Sequence, residues 1–179
     1  MDKKEAAKTM VHLEEHSAHW EAQYSHEKNK IMDIIGDEVD TIEHIGSTAV
    51  KDLKAKPIND IMVGIKELKL APDLIDPLSE IGFEYVRKDE FPDRGFFRKG
   101  SWGNGTCHLH LVETKSTEWK EKLLFREYLR NYPDVANEYE LLKSKLAAEY
   151  KNDRSSYTQK KEPFIQDIIK RAKRSIECF

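Results

Sequence analysis

The chain has 179 residues, of which 39% are hydrophobic and 35% charged, with a formal net charge of -3. This length and composition are typical of one globular domain, over residues 1–179, with enough apolar side chains for a core. No apolar run approaches the roughly 18 residues of a membrane span. Basic and acidic residues alternate along the sequence. The two cysteines, Cys107 and Cys178, are too few for a disulfide framework. We therefore expect a cytoplasmic protein, and the composition argues against a membrane partner and against a nucleic-acid partner.

Strands are predicted where apolar and polar residues alternate or where β-branched residues are dense. The strongest candidate is the isoleucine- and valine-rich segment 58–65. The predicted strands are 11–13, 41–45, 58–65, 83–87, 95–99 and 106–112.

Helices are predicted between these strands and throughout the last third of the chain. Ser17 is a preferred capping residue ahead of a long helix that Gly36 ends. Residues 76–82, which begin with Asp-Pro, predict a short helix. Pro133 is placed as a first helical residue, and the Asp-, Asn- and Ser-rich segment 151–157 is interpreted as a mobile loop. The whole pattern predicts one α+β domain.

The first candidate binding element is the turn Gly46-Ser47-Thr48, directly after the predicted strand 41–45. A glycine lets the backbone approach a ligand closely, and free amides at the start of a following helix favour an anion. Ser47 and Thr48 add hydroxyl donors. The same residues also fit a plain strand-to-helix turn in which Ser47 only caps the helix.

Two further elements place polar groups inside predicted strands. Asp60 shares a strand face with Ile58 and Met62, and a carboxylate there is costly to bury unless it is paired or binds a metal. His108 and His110 lie two apart, so that both imidazoles can reach one ion or one phosphate. Structural roles remain the alternative, with Asp60 as a loop cap or arginine partner and the histidines as a polar sheet surface.

A series of short motifs runs in order along nearly the whole chain. The motifs are EHIGSTAV (43–50), KPINDI (56–61), FFRKG (96–100), HLHLV (108–112), FREYLR (125–130), Tyr139 with Lys143, and YTQK (157–160). The series resembles the GrpB family, a group of mostly bacterial proteins within the nucleotidyltransferase superfamily. The resemblance implies a nucleotidyltransferase-like α+β fold, in which helices flank a mixed β-sheet and the C-terminal third is helical.

In active members of that superfamily, a Gly-Ser turn holds the nucleotide phosphates, and two strand carboxylates in a D-x-D pattern bind divalent ions together with a third acid. Gly46-Ser47 fits the turn, and Asp60 fits one strand carboxylate. The other carboxylate falls on Ile58 or on Met62, depending on the register, and neither binds metal. This difference argues against transfer by the usual two magnesium ions.

His108 and His110 fall on a neighbouring strand, where the third acid would sit. The resemblance therefore implies Asp60, His108 and His110 as catalytic residues and as the ligands of one divalent ion, which would be Mg²⁺, Mn²⁺ or Zn²⁺.

Other residues of the motifs are implied to bind the ligand. Those expected to bind phosphate are Gly46, Ser47, Thr48, Arg98, Lys143 and Lys160, and those expected to contact the rest of the substrate are His44, Arg126 and Tyr157. Tyr157 would stack on a base or cap the pocket from the mobile loop. Ordinary surface ion pairs are the alternative for the basic residues. Trp102 and Trp119 are interpreted as packing residues.

This set of residues is compatible with three functions. The first is an enzyme of the nucleotidyltransferase type that acts on a nucleotide or a phosphorylated small molecule. The second is a non-catalytic phosphate- or nucleotide-binding accessory module, which fits the resemblance of some family members to fusions with a dephospho-coenzyme A kinase domain. The third is a metal-dependent phosphoesterase that uses Asp60, His108 and His110.

Overall fold

The computed structural model describes residues 10–101 and 104–177, so that Trp102 and Cys178 lie outside the described residues. Its helices are α1 (Ala18–Ile35), α2 (Ala71–Glu80), α3 (Thr117–Asn131), α4 (Pro133–Glu149) and α5 (Arg154–Glu177). Its strands are β1 (Val39–Ile45), β2 (Asn59–Ile65), β3 (Glu84–Tyr85), β4 (Gly95–Ser101) and β5 (Asn104–Glu113). Short 3₁₀ turns occur at Gly36–Glu38, Ser47–Ala49 and Leu68–Leu70.

The strands form one five-stranded sheet in the order β1-β2-β5-β4-β3. The central pair, β2 and β5, is parallel, and every other neighbouring pair is antiparallel. The register places Asp60 beside Ile45 of β1 on one side and beside His108 of β5 on the other. The predicted α+β fold with a mixed sheet is therefore confirmed.

The two faces of the sheet pack against different helices because successive side chains of a strand point to opposite sides. On one face, Ile61 of β2 is fully buried in a cluster with Ile31 of α1 and Leu78 of α2. On the other face, Met62 packs against Trp119 of α3. Trp119 is thus a packing residue, as predicted, and the even-numbered residues of β2 face the C-terminal helices.

The C-terminal helices form a second core that holds the segment after the Gly46 turn. Phe125 of α3, Tyr139 of α4 and Ile168 of α5 are buried together with Val50 and Leu53. Each such side chain contributes about 1.5–3 kcal/mol when it leaves water. This packing fixes the turn against α4 and α5, which supply further site residues.

Several predicted boundaries differ from the observed ones. Residues 11–13 form no strand, and the isolated bridge in the described part of this region joins Glu14 and Ala55. The helix predicted at 76–82 begins at Ala71, because Pro72 occupies the first turn, where the missing N–H has no helical partner to lose. The strand predicted at 83–87 is shortened to β3. The long helix is confirmed as α1, whose Ser17 cap accepts from the His19 N–H at 3.2 Å.

The loop predicted at 151–157 is shorter than expected, because α5 begins at Arg154. Asp153 accepts a hydrogen bond from the Ser156 N–H at 3.0 Å and another from the Ser156 hydroxyl at 2.6 Å, which is the usual N-cap pattern. Tyr157 therefore lies in the first turn of a helix and not in a mobile loop. No helix within residues 10–101 and 104–177 is long and apolar enough to cross a membrane.

Candidate functional site

The site is built around the turn that follows β1. Gly46 has φ 73° and ψ -171°, a combination that is essentially restricted to glycine. A Cβ at this position would lie 2.7 Å from Asp60 Oδ2, so glycine also lets the turn pack directly on the carboxylate. The turn continues into the three-residue 3₁₀ turn Ser47–Ala49. The expected full helix after Ser47 is therefore wrong, and its N-terminus is not available as an anion site.

Asp60, His108 and His110 converge on the sheet face that the C-terminal helices cover. Asp60 Oδ1 lies 3.3 Å from His108 Nδ1 and 3.1 Å from His110 Nε2. The parallel pairing of β2 with β5 puts Asp60 beside His108, and the two-residue period of β5 puts His110 on the same face. The ring of Phe96 lies 5.1 Å from the His108 ring and 5.4 Å from the His110 ring.

The two imidazoles keep Asp60 ionised. Burial alone would raise the pKa of Asp60, but hydrogen bonds with His108 and His110 outweigh it, and the pKa lies well below its ordinary value. For His110, burial lowers the pKa more than Asp60 raises it. His108 Nδ1 and His110 Nε2 both face Asp60 Oδ1, and they do not face a shared position beside the carboxylate where an ion would bind. In the described ranges, no group of three or more His, Cys, Asp or Glu side chains is arranged to hold a metal ion.

Lys143 of α4, which is predicted to bind phosphate, reaches the turn. Its Nζ donates to the Ser47 hydroxyl at 3.0 Å and to the carbonyl oxygen of Lys54. The side chain is 1% exposed, and the ammonium group lies 4.9 Å from the centre of the Tyr139 ring. The Tyr139 hydroxyl is also close enough to hydrogen-bond with Ser47.

Lys161 and Lys56 lie around Tyr157, close enough to Lys143 for their charges to act on it. The Nζ atoms of Lys161 and Lys56 are 4.5 Å and 5.6 Å from the centre of the Tyr157 ring. Tyr157 is 1% exposed, so the described ring has no open face on which a base could stack. Lys160, which the motif had indicated, is exposed, and Lys161 lies on the side of the helix that faces the site.

The amino groups of these lysines affect one another. Burial and then the charge of Lys161 lower the pKa of Lys143 to about 7. Burial and then the charge of Lys56 lower the pKa of Lys161 to about 8. Burial also lowers the pKa of Lys56, while Asp60 raises it. We refer to Lys56, Lys143 and Lys161 as the lysine cluster.

The remaining predicted residues are engaged in contacts that support the turn. His44 is stacked on Tyr24 at 4.6 Å, and its Nε2 lies 2.9 Å from the Thr48 hydroxyl oxygen. Burial lowers the pKa of His44. Arg126 donates to Glu43 Oε2 at 2.6 Å and to the carbonyl oxygen of His44 at 2.9 Å.

Arg98 lies elsewhere on the sheet. It donates to Glu84 Oε2 at 2.6 Å and 3.1 Å, across the pairing of β4 with the short edge strand β3. This ion pair agrees with the alternative interpretation of Arg98 as a structural partner.

Comparison with known proteins identifies the family. A family model described as GrpB protein matches residues 10–171. The chain belongs to the GrpB family. Glutamate-rich protein GrpB of Alkalihalophilus pseudofirmus is 37% identical over 163 residues, which cover 89% of this chain and 94% of that protein. A dephospho-CoA kinase of Mycolicibacterium paratuberculosis is 24% identical over 193 residues, which cover 94% of this chain and 47% of that protein.

Solved structures give the same assignment for the fold. The crystal structure of GrpB from Enterococcus faecalis superposes with a TM-score of 0.85 at 32% identity, covering 92% of this chain and 99% of that one. The Cid1 poly(U) polymerase with magnesium and 3'-dATP bound superposes with a TM-score of 0.54 at 15% identity, covering 82% of this chain and 49% of that one. The second likeness extends the similarity in fold to that polymerase.

Sequence reasoning missed Lys56, Lys161 and Tyr139 of this GrpB protein as site residues. A local signal was present for two of them, because tyrosine precedes lysine by four residues both at 139–143 and at 157–161. Residues four apart lie on the same side of a helix, so each tyrosine ring can support the ammonium group that follows it.

Proposed function

We propose that this GrpB protein is a cytoplasmic nucleotidyltransferase-type protein that binds the phosphate groups of a nucleotide or phosphorylated small molecule between the Gly46-Ser47 turn and the lysine cluster. The observation that carries the proposal is the contact of Lys143 Nζ with Ser47 Oγ at 3.0 Å, together with the charges of Lys161 and Lys56, which lie close enough to Lys143 to lower its pKa. Placing like charges together away from water is costly, and a bound anion would offset that cost.

The Asp60–His108–His110 group supports a catalytic role for the same site. An ionised carboxylate that orients an imidazole is a common arrangement for moving protons during a reaction. One carboxylate and two imidazoles are also donors that suit Zn²⁺ or Mn²⁺. However, Asp60 Oδ1 already interacts with the imidazoles of His108 and His110, and this arrangement does not fit a preformed metal site. We therefore assign no chemical step to a metal ion.

A non-catalytic binding module is the second candidate. Ile58 and Met62 are 8% and 0% exposed, and they take the places of the second strand carboxylate. The match to about half of a dephospho-CoA kinase supports an accessory role beside a separate domain that carries out catalysis. A metal-dependent phosphoesterase that uses Asp60, His108 and His110 is a third candidate, supported by the convergence of these side chains.

Thermal unfolding with added ADP, ATP or pyrophosphate tests the phosphate site. A ligand at 100 times its Kd stabilises the folded state by about 2.7 kcal/mol, which corresponds to a rise in Tm of roughly 5–10 °C for a chain of this size. Lys161→Ala should abolish most of the rise, whereas Lys160→Ala, at the exposed neighbouring residue, should retain it. If no phosphorylated compound raises the Tm, or if both variants respond alike, the proposed site is wrong.

Metal ions and Asp60→Ala separate the candidates. An enzyme or phosphoesterase should show ligand-induced stabilisation that depends on Mg²⁺, Mn²⁺ or Zn²⁺ and on Asp60. A binding module should retain it in Asp60→Ala without any metal. Calorimetry in two buffers that differ in ionisation enthalpy adds a second readout. An anion should cause Lys161, whose pKa is lowered to about 8, to take up protons near that pH. A metal ion that displaces protons from its ligands should instead release them.

A further inference from the structure

Ser47 and Lys143 form a pair that phosphate binding alone does not require. Lys143 Nζ lies 3.0 Å from Ser47 Oγ. Lys143 is 1% exposed, whereas Ser47 is only half-buried. The hydroxyl of a half-buried serine is therefore in direct contact with a buried amine.

The amine is held in position by groups on two sides. The carbonyl oxygen of Lys54 accepts a hydrogen bond from Lys143 Nζ, and the Tyr139 ring lies 4.9 Å from it. A hydroxyl and a base within hydrogen-bonding distance, with the base oriented by a third group, is the arrangement that activates serine in enzymes that form covalent intermediates. Burial and the neighbouring Lys161 lower the pKa of Lys143 to about 7, so that a neutral amine is present near neutral pH.

Gly46 brings the serine into a position that suits attack. Its φ of 73° turns the chain sharply after β1, so that Ser47 is the first residue of the 3₁₀ turn Ser47–Ala49. Lys161 and Lys56 flank the Tyr157 ring and lie close enough to Lys143 for their charges to lower its pKa, so their ammonium groups can stabilise negative charge on the oxygens of a phosphoryl group. These cations favour a phosphorus electrophile over an uncharged acyl group.

We infer that Ser47 is a nucleophile toward the phosphorus atom of a phosphate ester and that Lys143 is its general base. The inference rests on the proposed phosphate site. Ser47 Oγ forms a bond to phosphorus while the bond from phosphorus to the leaving oxygen breaks. The Ser47 proton passes to Lys143 Nζ and then to the leaving oxygen, which departs as an alcohol. Water then hydrolyses the phosphoserine, which releases inorganic phosphate and restores Ser47.

A fluorophosphonate probe tests the nucleophile in the full chain. Attack by a serine displaces fluoride and leaves a stable adduct, which peptide mass spectrometry assigns to a residue. We expect the adduct on Ser47, its loss in Ser47→Ala, and labelling at least about 100-fold slower in Lys143→Met, since a general base contributes about 10²–10⁴-fold. Ser144→Ala and Lys145→Met alter exposed residues of α4 and should label like the wild type.

The variant Lys143→Arg separates the role of Lys143 as a base from its role as a cation. An arginine remains charged and can bind phosphate, but it does not act as a base. This variant should keep its rise in Tm with pyrophosphate and lose Ser47 labelling, together with any hydrolysis of p-nitrophenyl phosphate. Labelling at the wild-type rate would overturn the inference.

The remaining outcomes are also decisive. An unlabelled Ser47 in a wild type that pyrophosphate still stabilises would refute the nucleophile and leave the phosphate site intact. An unlabelled Ser47 without any stabilisation would refute both.

Discussion

Replacing Gly46 with alanine perturbs the site at the point where the turn meets Asp60. The glycine has φ 73° and ψ -171°, and a residue with a Cβ pays about 1–3 kcal/mol to adopt this conformation. The new Cβ would also lie 2.7 Å from Asp60 Oδ2, so the carboxylate must move. Moving it weakens the hydrogen bonds with His108 and His110, and a hydrogen bond to a charged group is worth about 1.5–3 kcal/mol.

The two costs together predict that Gly46→Ala lowers the free energy of unfolding by about 3–5 kcal/mol. Urea unfolding followed by circular dichroism measures this value. Gly36→Ala is the matched control, because Gly36 has φ -54° and a Cβ there would meet only Met32 Cε at 3.4 Å. The control should change stability by less than about 1 kcal/mol.

A double-mutant cycle separates backbone strain from the clash. In a chain that already carries Asp60→Ala, the clash with Oδ2 is absent, so the effect of Gly46→Ala should be smaller by about 1.5–3 kcal/mol. If Gly46→Ala is no more destabilising than Gly36→Ala, then neither the strained turn nor its contact with Asp60 has been described correctly.

Three other features give testable outcomes. Burial and a neighbouring lysine lower the pKa of Lys143 from 10.5 to about 7. Above pH 7 the unfolded chain therefore binds more protons than the folded chain, and the free energy of unfolding rises with pH. Lys143→Met should reduce this rise between pH 7 and 9 by about 2 kcal/mol, as measured by urea unfolding. Arg126→Met should lower the free energy of unfolding by about 2–3 kcal/mol, which is less than for a fully buried ion pair because Glu43 is 32% exposed. As a control, Arg171→Met removes an exposed ion pair and should change the free energy of unfolding by under about 1 kcal/mol. Burial raises the pKa of the Cys107 thiol, so iodoacetamide should alkylate the Cys107 peptide only after unfolding, as quantified by mass spectrometry.

The convergence of Asp60 with the two histidines could be predicted because it depends on simple rules. The two-residue period of a strand assigns Asp60 to one face of β2 and both histidines to one face of β5. The pattern alone does not state that these strands are neighbours in parallel. The resemblance to the GrpB family implied that the strands are neighbours, and the structure adds that they are parallel, with Asp60 paired with His108.

The choice between Lys160 and Lys161 could not be made in the same way. A residue on a helix can be assigned to a face only when the helix is known to include it, and the predicted loop extended to residue 157. The composition of 151–157 favours a loop, but Asp153 is an N-cap, and α5 therefore begins at Arg154. Once Tyr157 is helical, Lys161 follows it on the same side by four residues, and Lys160 is turned toward solvent.

The distribution of charge favours an anion over a cation as the ligand of this site. In the two-ion sites of enzymes that transfer phosphoryl groups, several carboxylates face the metal and offset its charge. Here Ile58 and Met62 are apolar, and the Asp60 carboxylate is already bonded by two imidazoles. The lysine cluster adds amino groups whose pKa values are lowered by burial and by repulsion from neighbouring cationic side chains, which for Lys143 and Lys161 are other lysines of the cluster and for Lys56 is Arg154. A divalent cation would increase that repulsion, whereas a phosphate dianion would relieve it, so the geometry supports phosphate binding more strongly than metal-dependent transfer.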